Sequence, residues 1–193
     1  GVTTGFSKQM VDILLCHAKE QGFTPDAAVG GDEVLNGTRP YPNMLYKNMD
    51  LLGIANPKAV IKVDDTVSGI GEGLNAGCWS VGVSKWSSYV GVDSFEHEAQ
   101  LSADELEEKR MVSREKLLNS GAHYVVDDIN LLPTVIFDVN RRLFNGESPS
   151  SDYTNLQASA LLPFKKAKSA DKVKAEVIAE DPRSLTGYPT RFS

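Results

Sequence analysis

Residues 59–77 read AVIKVDDTVSGIGEGLNAG, a short apolar run that ends in two adjacent carboxylates and passes at once into a helix start. This stretch constrains the fold more than any other in the 193 residues. Strands that alternate with helices, as they do around this stretch, form a mostly parallel sheet covered on both faces. Functional groups on such sheets gather at the carboxyl ends of the strands. Asp64 and Asp65 fall at such an end.

The alternation of strand-like and helix-period runs continues to about residue 146. A helix is expected over 9–21, with Met10, Ile13, Leu14 and Ala18 as its apolar positions and Gly22 closing it. Residues 27–30 read as a short buried strand. Residues 42–52 read as a helix, with Pro42 in the first turn, Leu45, Met49 and Leu52 on one face, and Gly53 at its end. Strands are expected over 59–63, 78–84 and 123–126, and helices over 66–76 and 133–144. Residues 102–119 form a helix that opens with Ser102 and Glu105 in capping-box spacing. Residues 85–100 read as irregular. This pattern makes an α/β fold with a mostly parallel sheet. From residue 146 the composition turns polar and rich in Gly, Pro and Ser, so 1–145 is expected to be the folded domain. Residues 146–193 are expected to be a linker and partly disordered tail, with a short helix possible over 169–180.

Composition narrows the function. A net charge of −6 argues against a nucleic-acid partner, because phosphate backbones are held by basic patches. No run of 18 apolar residues exists, so no membrane span is expected, and a cytoplasmic location is the default. The two cysteines, Cys16 and Cys78, lack metal-ligand spacing and are expected to be buried free thiols.

Four residues are candidates for chemistry. Asp65, at a strand end beside a helix start, suits a hard cation such as magnesium, which takes one or two carboxylates plus water and phosphate oxygens. The alternative is a helix N-cap. Asp64 reads as a solvated or helix-capping carboxylate. Thr4 and Gly5 offer a hydroxyl and close backbone amides ahead of a helix, which is either an anion site or a plain cap. Arg39, in a loop between Thr38 and Pro40, can clamp a phosphate bidentately or simply face solvent. Gly69, Gly71, Gly73 and Gly77 tempt a dinucleotide reading, but Leu74 stands where G-x-G-x-x-G requires its last glycine. The first three permit close packing or mark lost side chains. His17, His97 and His123 show no ligand spacing.

The segments GVTTGFSKQMVDI, GTRPYPNMLYKNMDLLGI, AVIKVDDTVSGIGEGLNAGCWSVGV and NSGAHYVVDDINLLP, in that order, closely resemble the phosphonoacetaldehyde hydrolases of the haloacid dehalogenase superfamily. The resemblance covers about residues 1–144. It implies a Rossmann-like three-layer core that cleaves the carbon–phosphorus bond of phosphonoacetaldehyde to acetaldehyde and phosphate. A cap-domain lysine would form a Schiff base with the aldehyde, and an aspartate would attack phosphorus. Magnesium would neutralise the phosphoryl oxygens. Thr4, Gly5 and Arg39 fall on the family's phosphate-binding positions and Asp65 on its first metal-site aspartate. A small-molecule phosphonate is the implied partner, with a homodimer as one expectation for the parent protein.

Three departures stand out. In the family, the nucleophile strand and the cap precede the T-T-G turn, and the sequence contains neither. The strand leading into Thr3–Thr4 is expected to be missing as well. Gly69 replaces a second acidic residue of the metal site, and Asp64 replaces a glycine. The chain is therefore expected to be a fragment, inactive by itself and prone to aggregate through unpaired strand edges. Two alternatives stay open: a phosphate-ester phosphatase of the same superfamily, and a non-catalytic phosphate- or partner-binding relative.

Overall fold

The computed structural model describes residues 1–151. The expected helix within 169–180, and most of the expected tail, lie outside them. Eleven regular elements follow in chain order: β1 (Val2–Thr3), α1 (Lys8–Glu20), β2 (Ala28–Val29), α2 (Asn43–Leu51), β3 (Ile61–Asp64), α3 (Val67–Ala76), β4 (Trp79–Val83), α4 (Phe95–Gln100), α5 (Ala103–Asn119), β5 (Tyr124–Val126) and α6 (Leu132–Phe144). All strand pairs are parallel. β3, β4 and β5 form one sheet in that order, and β1 pairs with β2 in a second.

Alternation along β4 builds the layers. Trp79 and Val81 point to one face and pack against Val135 and Val139 of α6. The opposite face carries small residues. A Cβ at Gly82 would meet Leu117 of α5 at 3.1 Å, and Leu117 packs with Ile70 of α3 and Ala122. Helices thus cover the three-stranded sheet on both faces, as expected for parallel strands. α2 extends one flank, where Leu45 and Met49 pack on Ala76 and Cys78.

The helix ends follow local chemistry. Thr66 caps α3, accepting from the Gly69 N–H at 3.1 Å, and Gly77 closes it in the left-handed conformation. Ser102 and Glu105 form the capping box of α5. One expectation fails over 85–100. That stretch holds a 3-10 turn at Ser88–Val90 and the six-residue α4, capped by Ser94. Its helical signal is short and carried by caps rather than by apolar periodicity.

Two further expectations are corrected. Residues Val2–Thr3 form a strand paired in register with Ala28–Val29, so the strand leading into the T-T-G turn is represented here. The apolar positions Met10, Ile13 and Leu14 of α1 do not enter the core. Val11 alone is buried on that helix, while Met10, Ile13 and Leu14 are 46%, 57% and 50% exposed. Cys16 lies on the same helix and is exposed, whereas Cys78 is buried as expected. Amphipathic spacing reported a helix correctly but not what lies opposite its apolar stripe.

Residues 147–151 fold back on the body. Arg142 pairs with Glu147 at 2.8 Å, and the buried Pro149 accepts a hydrogen bond from His123 Nε2 at 3.0 Å. The other ring nitrogen of His123 accepts from the Ser80 N–H.

Candidate functional site

The site forms where β1 and the carboxyl end of β3 face each other without pairing. Val2 and Thr4 donate their N–H groups to Ala27 and Val29. Parallel geometry therefore turns the Thr3 backbone to the opposite edge, toward β3. Side chains rather than a backbone ladder fill that space. Lys62, 8% exposed, projects from β3 toward α3 and places Nζ 2.8 Å from Thr3 Oγ1, 3.0 Å from Glu72 Oε2 and 3.2 Å from Asp64 Oδ2. Its three donors are thereby matched to three acceptors. Thr3 in turn donates to Glu72 Oε2 at 2.9 Å. Asn48 on α2 donates to the Val2 carbonyl at 2.7 Å.

Asp64 is the hub of this arrangement. One oxygen accepts from the Thr66 N–H and hydroxyl at 3.0 and 2.7 Å. The other faces Lys62 Nζ and Arg39 Nη1, both at 3.2 Å. Burial, the largest single influence, opposes its ionisation. The Lys62 charge, the Thr66 hydrogen bonds and the Arg39 charge together outweigh it, and hold the carboxyl below the usual aspartate range. The room for this carboxylate comes from Gly69: a Cβ there would lie 1.8 Å from Asp64 Cγ. Of the two readings of Asp64, solvated or helix-capping, the solvated one is corrected: the carboxylate is buried and bonds the cap residue Thr66 at the start of α3.

The sequence-picked residues are distributed as follows. Arg39 reaches from Asp64 to the T-T-G turn, where its Nη2 lies 3.7 Å from the position of a Cβ on Gly5. Thr4 adjoins that turn, its hydroxyl accepting from the Phe6 N–H at 3.3 Å. The turn precedes α1 rather than capping it, because the N-cap is Ser7. Asp65 follows β3; its carbonyl accepts from the Ser87 hydroxyl at 2.6 Å, and no protein partner engages its carboxylate among the described residues. It is not a helix cap, since Thr66 takes that place. Gly5, Arg39 and the β3 terminus are therefore brought together. Sequence reasoning missed Thr3, Lys62 and Glu72. The one available signal was a lysine inside an otherwise apolar strand.

Magnesium finds little here. Among the described residues no group of three or more His, Cys, Asp or Glu side chains can hold a metal. Asp64 has its oxygens committed, Gly69 offers none, and Asp65 alone remains. One free carboxylate does not make a magnesium site, so the residues described do not fit the ion by themselves.

Comparison with known proteins bears on this geometry. The chain is 41% identical over 149 residues to the phosphonoacetaldehyde hydrolase of Syntrophobacter fumaroxidans, and 41% identical over 151 residues to that of Vibrio vulnificus, each alignment spanning 77% of the chain. The chain is a relative of the phosphonoacetaldehyde hydrolases. It spans about half the length of these relatives, 53% and 55% respectively, which fits the carboxyl-terminal part of a phosphonoacetaldehyde hydrolase core. The crystal structure of a phosphonoacetaldehyde hydrolase-like protein from Oleispira antarctica superposes with a TM-score of 0.71 at 46% identity, covering 76% of the chain and 52% of that protein. A haloacid dehalogenase-like protein from Agrobacterium tumefaciens, 21% identical with a TM-score of 0.52 over 72% of the chain and 53% of its own, shares the fold. The fold is thus an incomplete Rossmann-like haloacid dehalogenase core. No protein-family model matches the chain.

Proposed function

We propose that the chain is the phosphate-handling part of a phosphonoacetaldehyde hydrolase, which cleaves a carbon–phosphorus bond with water to give acetaldehyde and phosphate. The observation that carries this reading is the Arg39 guanidinium, held on one side by Asp64 and standing over the Gly5 turn on the other. A fixed guanidinium above an open turn suits a tetrahedral anion, because planar donors grip phosphoryl oxygens in pairs. Thr4 supplies a hydroxyl and Gly5 a backbone amide unshielded by a side chain. Asp65 offers one carboxylate at the strand end, but the residues described do not by themselves fit magnesium, and no step of this reading runs through the ion.

In the parent protein, a Schiff base to lysine would convert the leaving carbon to an enamine, and an aspartate would accept the phosphoryl group. Neither role is assigned to any of the 193 residues, and the chain alone is proposed to be inactive. A cytoplasmic location belongs to the same reading.

A phosphate-binding relative without hydrolytic activity is the second reading, favoured by Gly69 and the lack of an acidic cluster among the described residues. Two measurements separate them. Inorganic phosphate titrated calorimetrically into the chain should give saturable binding that Arg39→Ala abolishes; no binding by wild type would sink both readings. The full-length parent incubated with phosphonoacetaldehyde and borohydride should be trapped covalently and should release phosphate without borohydride. Failure of both by a folded parent that binds phosphate would leave the non-catalytic reading.

A further inference from the structure

We infer that the Asp64 carboxylate is the positioning group for Arg39, and that it occupies a socket which residue 69 would otherwise fill. This rests on the reading of Arg39 as the anion clamp.

The geometry supports the inference at both ends. Asp64 has an oxygen 3.2 Å from Arg39 Nη1, and its side chain is only 7% exposed. Its other oxygen is fixed by the Thr66 N–H and hydroxyl, so the carboxylate cannot turn without breaking the cap region of α3. A carboxylate accepts at about four lone-pair directions. Thr66 fills two of them, and Lys62 and Arg39 fill the rest. Such a group has no capacity left for a cation from solution. Its work is mechanical: it anchors one edge of a planar guanidinium, which sets the direction of the edge that stands over Gly5. Without that anchor Arg39, on a loop and 24% exposed in its side chain, is free to swing to water.

The socket is defined by exclusion. A Cβ on Gly69 would lie 1.8 Å from Cγ and about as close to both oxygens of Asp64. Real Cβ atoms do not come so near other heavy atoms, so residues 64 and 69 cannot both place a side chain there. One carboxylate can be delivered to that volume from the strand end or from the first turn of α3, but not from both. Asp64 with Gly69 is one of two reciprocal solutions.

The test is a swap. Asp64→Asn keeps the shape and removes the charge; Asp64→Gly empties the socket; Gly69→Asp overfills it; the double variant D64G/G69D delivers the acid from the helix. Each variant, as the full 193-residue chain, is studied by phosphate calorimetry, thermal unfolding and guanidinium nitrogen NMR, in which Nη signals resolve only for an immobilised arginine. Wild type should show restricted Arg39 Nη signals, assigned by their loss in Arg39→Ala. D64N and D64G should lose them and bind phosphate roughly tenfold more weakly, the scale of one displaced charge-assisted contact. The double variant should regain the Nη signals and recover affinity to within about threefold. Gly69→Asp alone should unfold at lower temperature than wild type.

The proposal is overturned if D64N keeps the restricted Arg39 signals, if the double variant recovers no more than D64G, or if Gly69→Asp is as stable as wild type. The NMR and unfolding readouts need no ligand. If wild type fails to bind phosphate, the clamp reading falls while the swap still decides the role of Asp64.

Discussion

The Lys62 ammonium stands 3.0 Å from a carboxylate oxygen of Glu72, a residue with no solvent exposure. Two opposite charges so deeply placed are costly to separate, because removing one strands the other away from water. Among the described residues the second Glu72 oxygen has no hydrogen-bond partner, which makes Lys62 the more important to it. Lys62→Met should therefore cost about 3–5 kcal/mol. Urea unfolding followed by circular dichroism checks this. A loss under about 1 kcal/mol would mean that the pair contributes little beyond packing.

Acid should loosen the molecule through Asp64. Its carboxyl is held below the ordinary range of about 3.9. A depressed folded value means that the unfolded chain takes up the proton first. The contribution is present above about pH 4 and is lost as pH falls through the folded value. Urea midpoints between pH 7 and pH 2.5 should decline in wild type, and the decline should be shallower in Asp64→Asn, which has no proton to take up there.

The two thiols should differ sharply in reactivity. Cys16 is exposed, while burial pushes the Cys78 thiol up to about 12, with the nearby Glu72 charge adding to the effect. Thiolate is the reactive species. A chromogenic disulfide reagent should label one thiol per chain quickly under native conditions and two in denaturant. Cys16→Ser should remove the fast phase.

Magnesium alone should leave the melting temperature of this chain unchanged, since binding stabilises only where a folded site exists. A rise in Tm with millimolar magnesium and no phosphate would show that Asp65 has partners not recognised among the described residues.

The uncovered stripe on α1 should make the chain self-associate. Met10, Ile13 and Leu14 are exposed together on one helix, and contiguous apolar patches on soluble chains favour association. Ile13→Lys with Leu14→Glu should reduce concentration-dependent light scattering while changing stability by less than about 0.5 kcal/mol, as expected for surface positions.

What was legible in the sequence was what is local. Ser102 and Glu105 lie within one helical turn, so their capping box was readable directly. Each strand-like and helix-period run was readable for the same reason, and their alternation gave the α/β class. The contacts that define the site were not legible, because they join distant positions. Thr3 and Glu72 are 69 residues apart, and no periodicity links them. Lys62 gives no sign in the sequence of the three acceptors that surround it in the fold. The burial of Asp64 was not legible because its environment depends on a side chain that is not there: the vacancy at Gly69 is visible in the sequence, but its occupant is visible only in space. The stripe on α1 was read correctly as apolar, yet spacing carries no information about what lies opposite it.

The space between β1 and β3 is bridged by an ammonium, two carboxylates, a hydroxyl and a guanidinium instead of main-chain pairing. The two halves of the site are therefore moored by ionic ties set so deep that dissolved salt screens them little. On the proposed reading, a phosphoryl group would be gripped no more firmly than these ties hold the two strands.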